Sequence, residues 1–194
     1  VPAACVSVLP GPGSTLGSTL VADPRVDKVS FTGDTSTGTS ILTAAAANIT
    51  RVSLELGGKS AAVVFADADI AAAAADIPIS VFANAGQDCC ARSRVLVQQS
   101  VIDEFTDAMV ERTRALRVGD PTDPETEIGP MISAGQRSQA VDYVGVGTAD
   151  GATLAIGGQT TDPGYFMNPA VLTGVTNDSR VGQEEIFGPV AAVI

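Results

Sequence analysis

The sequence of 194 residues contains no histidine. No Cys-His or Ser-His catalytic pair can therefore be built from this chain, and any general base must be a carboxylate, a lysine or water. Zinc sites are disfavoured as well, because Cys5, Cys89 and Cys90 show no paired C-x-x-C spacing and no imidazole is present to complete a metal shell. We expect no metal.

The sequence also shows no disulfide framework, no basic run and no long apolar stretch, and these absences restrict the binding partners and the cellular compartment of the protein. The three cysteines form no disulfide framework, and Val1 to Ala4 show neither a charged leader nor a cleavage pattern, so we expect a cytoplasmic protein. The net charge of −11 and the lack of any basic run disfavour nucleic acid as a partner. The richest apolar stretch, residues 61–75, contains Asp67 and Asp69, and we expect no membrane span.

The composition is typical of a folded α/β protein. A hydrophobic content of 45% with 17% charged residues is enough to bury one good core or two small ones. The chain has no initiator methionine, and its ends at Val1 and Ile194 lie in strand-like runs. We therefore expect a piece of a longer protein.

The first part of the chain alternates strand-like, glycine-containing and helical segments. The predicted strands cover residues 4–9, 27–31 and 51–56, and the predicted helices cover residues 14–22 and 34–48. Asp34, Thr35 or Ser36 lies near the N-cap of the second helix. Three strands joined by two helical crossovers predict a parallel Rossmann-like sheet, which binds nucleotides at the carboxyl ends of its strands.

The pattern starts again after Gly57-Gly58. Strands are predicted at residues 60–65, 94–98, 152–156, 170–172 and 190–194, and helices at residues 67–83, 101–116 and 133–149. Pro78 is expected to kink the first of these helices or to end it early. We therefore predict two domains, a nucleotide-binding piece at residues 1–57 and a second α/β domain at residues 58–194.

Two adjacent cysteines, Cys89 and Cys90, lie between the alanine-rich helix and the strand at residues 94–98. The preceding Gly86-Gln87 turn offers free backbone N–H groups, and two arginines follow, so the environment favours a thiolate nucleophile. The alternative interpretation is a buried pair of small apolar side chains.

Glycines follow the first two predicted strands. Gly11, Gly13 and Gly17 form G-x-G-x-x-x-G, one residue longer than the usual dinucleotide fingerprint and equally compatible with simple turns. Gly33 precedes a helix whose N-terminal N–H groups suit a phosphate. Asp34 stabilises that helix as an N-cap, but its carboxylate would repel the phosphate.

Four motifs occur in order along the chain. They are Phe31-Thr32-Gly33, Leu54-Glu55-Leu56-Gly57-Gly58-Lys59-Ser60, Phe82-x-Asn84-x-Gly86-Gln87-x-Cys89 and Glu184-Glu185-Ile186-Phe187-Gly188-Pro189. In sequence, order and spacing they resemble the NAD(P)-dependent aldehyde dehydrogenase superfamily. The chain is similar to the central part of such an enzyme. The resemblance implies that residues 1–57 are the C-terminal half of the NAD(P)-binding domain and that residues 58–194 are the catalytic domain, incomplete at its C-terminus.

The resemblance implies roles for individual residues. Cys89 matches the nucleophile, Glu55 matches the base that activates water for thioester hydrolysis, and Cys90 matches a variable neighbour of the nucleophile. The implied cofactor contacts are Gly33, Asp34, Thr35 and Gly38 at the pyrophosphate, Leu56 at the nicotinamide amide, and Glu185 and Phe187 at the nicotinamide ribose and ring.

The implied reaction is oxidation of an aldehyde to a carboxylic acid, with hydride transfer to NAD or NADP, of which NAD is favoured. Cys89 adds to the carbonyl, backbone N–H groups near Cys89 hold the oxyanion of the thiohemiacetal, and a thioester follows. The resemblance also implies a small aldehyde as substrate and a parent enzyme that is a homodimer or homotetramer. The alternatives are a CoA-acylating relative, in which CoA releases the acyl group, and a non-catalytic binding or structural relative.

The sequence also departs from the family pattern. It contains no tryptophan, and so lacks the Pro-Trp-Asn segment whose asparagine completes the oxyanion hole. Asp34 and Arg92 stand where the family commonly has a small hydroxyl residue and a glycine. We therefore expect the 194-residue piece to be inactive alone. Asp88 and Cys90 are candidate substrate contacts, and the Asp88 carboxylate suits a cationic aminoaldehyde.

Overall fold

The computed structural model describes residues 2–194 and divides into two compact units, with the division between Gly57 and Gly58. Val1, which the sequence analysis placed in a strand-like run at the start of the chain, lies outside the described residues. Both units contain helices and parallel strands, so the predicted α/β class is confirmed.

The first unit contains two strands, β1 (Lys28–Gly33) and β2 (Arg51–Leu56). They pair in parallel along their whole length, with Gly33 opposite Leu56. A π-helical turn at Gly13–Gly17 leads into the short helix α1 (Ser18–Ala22), and α2 (Thr35–Ala46) connects the two strands. A helical crossover between parallel neighbours is the connection that the alternating sequence pattern predicts.

The predicted strand at residues 4–9 is wrong. Ala3–Cys5 form a 3-10 turn, and residues 6–9 belong to no strand and are exposed. Val6, Val8 and Leu9 have the β-type composition, but a strand also needs a neighbour to pair its backbone groups and to cover its apolar side chains. Within residues 2–57 these side chains find neither, so the sheet of the first unit has two strands.

The second unit is built on a five-stranded sheet. Its strands are β3 (Ala61–Val64), β4 (Arg94–Val97), β5 (Thr153–Ile156), β8 (Ala170–Thr173) and β9 (Val190–Val193), and a small hairpin consists of β6 (Thr160–Thr161) and β7 (Phe166–Met167). The order is β3-β4-β9-β8-β5, parallel except for the β5–β8 pair. β9 is the central strand of this sheet, and all four of its residues are buried.

Four helices complete this unit. They are α3 (Ile70–Phe82), α4 (Ile102–Arg114), α5 (Ala134–Ala149) and α6 (Arg180–Gln183). Asp69 caps α3 by accepting the Ala72 N–H, and Ser133 caps α5 by accepting the Gln136 N–H. Within residues 2–194, no helix combines the length and the apolar content that a bilayer crossing requires.

Helix α3 continues for four residues past Pro78, so the expectation that this proline ends the helix early is wrong. A proline inside a helix costs about 3 kcal/mol. Val81 and Phe82, beyond the proline, are fully buried, and each buried side chain of this size contributes roughly 1.5–3 kcal/mol. Tertiary packing of the last turn therefore outweighs the local cost, and α3 delivers the chain to the cysteine turn.

Candidate functional site

The turn before the two cysteines has a left-handed backbone. Asn84, Ala85 and Gly86 have φ values of 53°, 56° and 69°. Each non-glycine residue in this region costs on the order of 1–2 kcal/mol, so the surrounding structure must hold the turn. A Cβ on Gly86 would lie 2.2 Å from the Gly188 carbonyl oxygen, which is closer than any side chain tolerates. Glycine at this position lets the cysteine turn lie directly against the Glu184–Pro189 motif.

Asn84 and Gln87 are joined across the cysteine turn by two reciprocal hydrogen bonds. Asn84 Nδ2 donates to the Gln87 carbonyl oxygen at 2.9 Å, and Gln87 Nε2 donates to the Asn84 carbonyl oxygen at 3.0 Å. Gln87 Oε1 also accepts the backbone N–H of Ile132 at 2.9 Å. The turn is therefore closed on itself and tied to the segment that precedes α5.

Cys89 and Cys90 are exposed, and the alternative interpretation of a buried apolar pair is wrong. Their Sγ atoms are 3.8 Å apart. Asp88 Oδ1 accepts the Cys90 N–H at 2.8 Å. One ligand atom from each of Asp88, Cys89 and Cys90 lies within 4.8 Å of the other two, so the sequence argument against a metal stays a prediction.

The surroundings of Cys89 do not favour its thiolate, contrary to the expectation from the sequence. The pKa of Cys89 is raised, first by the hydrogen bond with the Cys90 thiol and the charge of Cys90, then by desolvation and the Asp88 carboxylate. A thiol so placed needs a further positive charge or more N–H donors at Sγ to ionise readily near neutral pH.

Glu185 and Phe187 lie on the turn between α6 and β9. Glu185 Oε1 accepts the Gly58 N–H at 3.3 Å. Phe187 has a left-handed φ of 53°, and its side chain is partly exposed. Gln136 of α5 donates through Nε2 to two successive carbonyl oxygens, those of Ile186 at 3.1 Å and Phe187 at 2.9 Å, and so holds this turn.

Glu184 is fixed by two partners. Arg180 donates from Nε and Nη2 to its two carboxylate oxygens, each at 2.9 Å, and the Tyr143 hydroxyl donates to Oε2 at 2.6 Å. The Arg180 guanidinium, followed by Tyr143, lowers the pKa of Glu184 to about 2. Burial, followed by Glu184, raises the pKa of Tyr143. Glu184 is thus a fixed anion beside Glu185.

Lys59 and Arg94 place two cations near this turn. The Lys59 Nζ and Arg94 Nε atoms are buried and have no hydrogen-bond partner among residues 2–194. Arg94 Nη2 donates to the Lys59 carbonyl oxygen at 3.2 Å, and Nη1 donates to Asn177 Oδ1 at 3.0 Å. Desolvation and then the charge of Arg94 lower the pKa of Lys59 to about 8, against the opposing charges of Glu185 and Glu184.

The other predicted residues lie in the first unit, at the carboxyl ends of β1 and β2. Gly38 is buried, and a Cβ there would lie 2.8 Å from a methyl carbon of Leu56. Glu55 is exposed and lies opposite Thr32 in the ladder. Gly33 ends β1, and Thr35 begins α2. The structure brings these residues to one edge of the strand pair, whereas Cys89 belongs to the second unit.

Asp34 caps α2, as the sequence predicted. Its Oδ1 accepts the Ser36 N–H at 2.8 Å and the Thr37 N–H at 3.2 Å. The hydrogen bond from the Ser36 hydroxyl, followed by these N–H groups, lowers the pKa of Asp34. The carboxylate is therefore ionised near neutral pH and occupies two N–H groups that a phosphate would otherwise use.

A cavity of about 790 Å³ lies between α1, β1 and α2 of the first unit. Its lining is largely apolar and includes Val21, Val26, Phe31 and Ile41, with Thr37 from the first turn of α2. Cavities of this volume accommodate small organic ligands.

Sequence reasoning missed Gln136 and Tyr143, which hold the Glu184–Pro189 motif from α5. The only local signal was the pattern Ser133-x-x-Gln136, which is typical of a helix capping box. In the structure Ser133 does cap the helix, but the Gln136 amide donates to Ile186 and Phe187 across the unit.

Comparisons with known proteins agree with one another. The aldehyde dehydrogenase family model matches residues 1–194. Betaine aldehyde dehydrogenase of Mesorhizobium japonicum is 43% identical over 199 residues, which cover 100% of this chain and 41% of that protein. Retinal dehydrogenase 2 of Mus musculus is also 43% identical, over 195 residues that cover 100% of this chain and 38% of that protein.

Solved structures give the same result. The crystal structure of betaine aldehyde dehydrogenase from Staphylococcus aureus, in complex with NAD+, has a TM-score of 0.91 and 41% sequence identity, covering 95% of this chain and 37% of that one. The chain spans about two fifths of the length of the curated relatives described above. Since the family model matches from the first residue to the last, the chain belongs to the aldehyde dehydrogenase family.

Proposed function

We propose that the protein to which this chain belongs oxidises an aldehyde to a carboxylic acid, with NAD+ as the hydride acceptor. The observation that carries the proposal is the contact between Gly86 and Gly188, which brings the turn of Cys89 against the turn of Glu185 and Phe187. A nucleophile and groups that hold a nicotinamide must lie close together for hydride transfer from a thiohemiacetal.

Cys89 is the proposed nucleophile. Its thiolate adds to the aldehyde carbonyl, and backbone N–H groups of the cysteine turn stabilise the oxyanion that forms. NAD+, when bound, supplies the electron sink for the hydride that leaves this carbon. The raised pKa of Cys89 implies that ionisation of the thiol depends on groups that reach Sγ in the assembled enzyme.

Glu55 is the proposed base for hydrolysis of the thioester. With no histidine in the chain, a carboxylate is one of the groups that can take this role, and Glu55 is the one that the family motif indicates. Its exposed position at the end of β2, followed by Gly57-Gly58, gives it room to move.

The proposed cofactor contacts lie in both units. In the first, Gly33, Asp34, Thr35 and Gly38 surround the start of α2, where backbone N–H groups suit the pyrophosphate, and Leu56 ends the neighbouring strand. The apolar cavity beside α2 suits an adenine.

In the second unit, Glu185 presents a carboxylate for ribose hydroxyls, and the exposed Phe187 ring offers a surface for the nicotinamide. The NAD+ complex of a similar protein supports NAD as the cofactor.

We propose a cationic aminoaldehyde as one substrate class, because Asp88 places a carboxylate beside Cys89, with Cys90 as a second contact. Betaine aldehyde dehydrogenase and retinal dehydrogenase 2 are equally similar to this chain, so the sequence identities favour neither a cationic nor an apolar substrate. Asp88→Asn is expected to lower kcat/KM for a cationic aldehyde roughly tenfold relative to a neutral aldehyde of equal length. Equal effects on both substrates would argue against this role.

The free, exposed cysteines suit a reducing compartment, and we place the protein in the cytoplasm on that ground. We also propose a homodimer or homotetramer as the assembled state, which light scattering of the whole protein would test.

The decisive experiment is an NAD+ reduction assay on the whole protein. Cys89→Ala is expected to abolish activity, whereas Cys5→Ala, which removes another exposed thiol, leaves it intact.

Glu55→Gln is expected to release about one equivalent of NADH per site and then stop, because the thioester forms but is not hydrolysed. If both the wild type and the variant need CoA for turnover, the CoA-acylating alternative is correct. If Cys89→Ala retains full activity, the proposed mechanism fails.

A further inference from the structure

We propose that Gln87 is a positioning residue that fixes Cys89 relative to the Glu185–Phe187 turn. Its catalytic consequence rests on the proposed function, whereas its effect on the cysteine turn does not. Gln87 lies two residues before Cys89 and does not itself have to touch the substrate. It acts through the shape and attachment of the turn.

First, all four polar atoms of Gln87, two of the backbone and two of the side-chain amide, form hydrogen bonds within the protein. Its Nε2 donates to the Asn84 carbonyl oxygen at 3.0 Å, its backbone N–H donates to the same oxygen at 3.2 Å, and its carbonyl oxygen accepts from Asn84 Nδ2 at 2.9 Å. These bonds span the left-handed residues Asn84 to Gly86. They compensate for the unfavourable backbone conformation and leave Gln87 little freedom to choose another one.

The second step is the bond from the Ile132 N–H to Gln87 Oε1, at 2.9 Å. The side chain of Ile132 is 79% exposed, so it does not anchor this segment by packing. The preceding Met131 is buried and donates its N–H to the Tyr165 carbonyl oxygen, so the core holds the segment there, and the bond to Gln87 ties it to the cysteine turn. It joins residues that are 45 positions apart in the sequence.

The third step leads from Ile132 to the turn of Phe187. Ser133 caps α5, and one turn into this helix Gln136 donates to the carbonyl oxygens of Ile186 and Phe187. A continuous path of hydrogen bonds and one helix turn thus connects the cysteine turn with the turn that bears Glu185. The steric contact between Gly86 and Gly188 closes the path from the other side.

The test compares two glutamines that make the same kind of bond. Gln98 Oε1 accepts the backbone N–H of Ala66 at 2.9 Å, in the same unit but away from the cysteine turn. Gln87→Met and Gln98→Met each remove one such acceptor with little change in side-chain volume. Gln87→Glu keeps an acceptor for the Ile132 N–H but cannot donate to the Asn84 carbonyl oxygen.

The measurements are made on the whole protein. They are kcat across pH, the dissociation constant of NAD+, the thermal unfolding midpoint, and the rate of iodoacetamide modification of Cys89, determined by tandem mass spectrometry with Cys5 as the reference thiol. Gln87→Met is expected to lower kcat about 100-fold, because misplacement of a reacting group by about 1 Å has an effect of this size. The dissociation constant of NAD+ is expected to stay within about twofold. The modification rate of Cys89 relative to Cys5 is expected to change with kcat.

Gln98→Met is expected to lower the unfolding midpoint, by less than Gln87→Met because one side-chain hydrogen bond is lost instead of two, while leaving kcat and the Cys89 modification rate at the wild-type level. Gln87→Glu is expected to recover part of kcat on the high-pH plateau, where an added carboxylate no longer changes the fraction of thiolate. Equal kcat and equal Cys89 modification rates in Gln87→Met and Gln98→Met would overturn the proposal.

The two proposals fail in different ways. If the wild-type protein oxidises no aldehyde, the proposed function fails, and the modification rates of Cys89 in the two methionine variants still decide whether Gln87 positions this thiol. If wild type is active and Gln87→Met is equally active, the proposed function stands and the role of Gln87 is lost.

Discussion

The Tyr143 hydroxyl donates a 2.6 Å hydrogen bond to Glu184 Oε2, and so joins the middle of α5 to the residue next to Glu185. Arg180 completes the arrangement, because its guanidinium bonds both oxygens of Glu184 and its Cζ lies 5.5 Å from the centre of the Tyr143 ring. A carboxylate with three charge-assisted donor contacts has a well-defined orientation. The backbone of the neighbouring Glu185 is thereby fixed.

Tyr143→Phe is expected to weaken the dependence of stability on acid pH. The pKa of Glu184 in the folded protein is about 2, below its ordinary value of 4.5. A lowered carboxylate pKa stabilises the fold above the unfolded value, and this stabilisation is lost as the pH falls from about 4.5 through about 2. Without the phenol this loss is smaller. Urea unfolding at a series of acidic pH values measures it, and Tyr165→Phe, at the chain's other tyrosine, is the control. Identical pH profiles for wild type and Tyr143→Phe would contradict the assignment.

Gly86→Ala is expected to be severely destabilising, by about 3 kcal/mol or more. The added Cβ would lie 2.2 Å from a backbone oxygen of Gly188, and the residue would need a φ of 69°. Gly145→Ala is the matched change in α5, where a Cβ has no neighbour within 4 Å. It is expected to stabilise the protein by up to about 1 kcal/mol, because alanine favours the helix. Denaturant unfolding distinguishes the two, and a mild effect of Gly86→Ala would show that the turns can separate.

Lys59→Met is expected to stabilise the fold at neutral pH. Burial lowers the pKa of Lys59 from 10.5 to about 8, so the folded protein carries a penalty of roughly 3 kcal/mol for the charged ammonium below about pH 8. The unfolded chain binds more protons between pH 8 and 10.5, so wild-type stability rises over that range and the advantage of Lys59→Met shrinks. Lys28→Met, at the exposed lysine of β1, is the control. A destabilised Lys59→Met protein would mean that pairing with Glu185 and Glu184 outweighs burial.

Asp34→Ser is expected to tighten NAD+ binding by roughly fivefold, because it removes a negative charge at the start of α2. Serine retains an acceptor for the N–H groups of Ser36 and Thr37, so the helix cap survives. Asp34→Ala removes both the charge and the cap, and is expected to lower the stability of the fold. Calorimetric titration of the whole protein with NAD+ provides the affinities. Weaker binding by Asp34→Ser would exclude repulsion by this carboxylate.

Local features of the chain were predictable from the sequence because they depend on neighbouring residues. The strand at Arg51–Leu56 and the cap of α2 at Asp34 are confirmed, and the helix predicted at residues 133–149 starts one residue later, after its cap. Alternating or helical spacing of apolar residues, and an oxygen-bearing side chain before a helix, act over only a few positions. The order of the motifs was sufficient to indicate the family, which the comparison over residues 1–194 confirms.

Local rules failed where distant packing decided the outcome. Residues 4–9 have strand-like composition without a neighbouring strand, and α3 continues past Pro78 because Val81 and Phe82 are buried. The hairpin of β6 and β7 was missed because each strand has only two residues. Periodicity cannot be detected in so short a segment.

The sequence by itself determined the candidates for chemistry, which are Cys89 and Glu55 in their motifs, and it excluded histidine as a catalytic group of this chain. Only the tertiary structure decided what surrounds them. It placed Cys90 and Asp88 where they raise the pKa of Cys89, and it joined Gln87 to Ile132 and Gln136 to Phe187 across 45 and 51 positions of sequence. Such contacts depend on where the sheet and helices bring distant turns together. A displacement of the donor from the acceptor by about 1 Å is enough to break a hydrogen bond. No local pattern specifies distances of that accuracy.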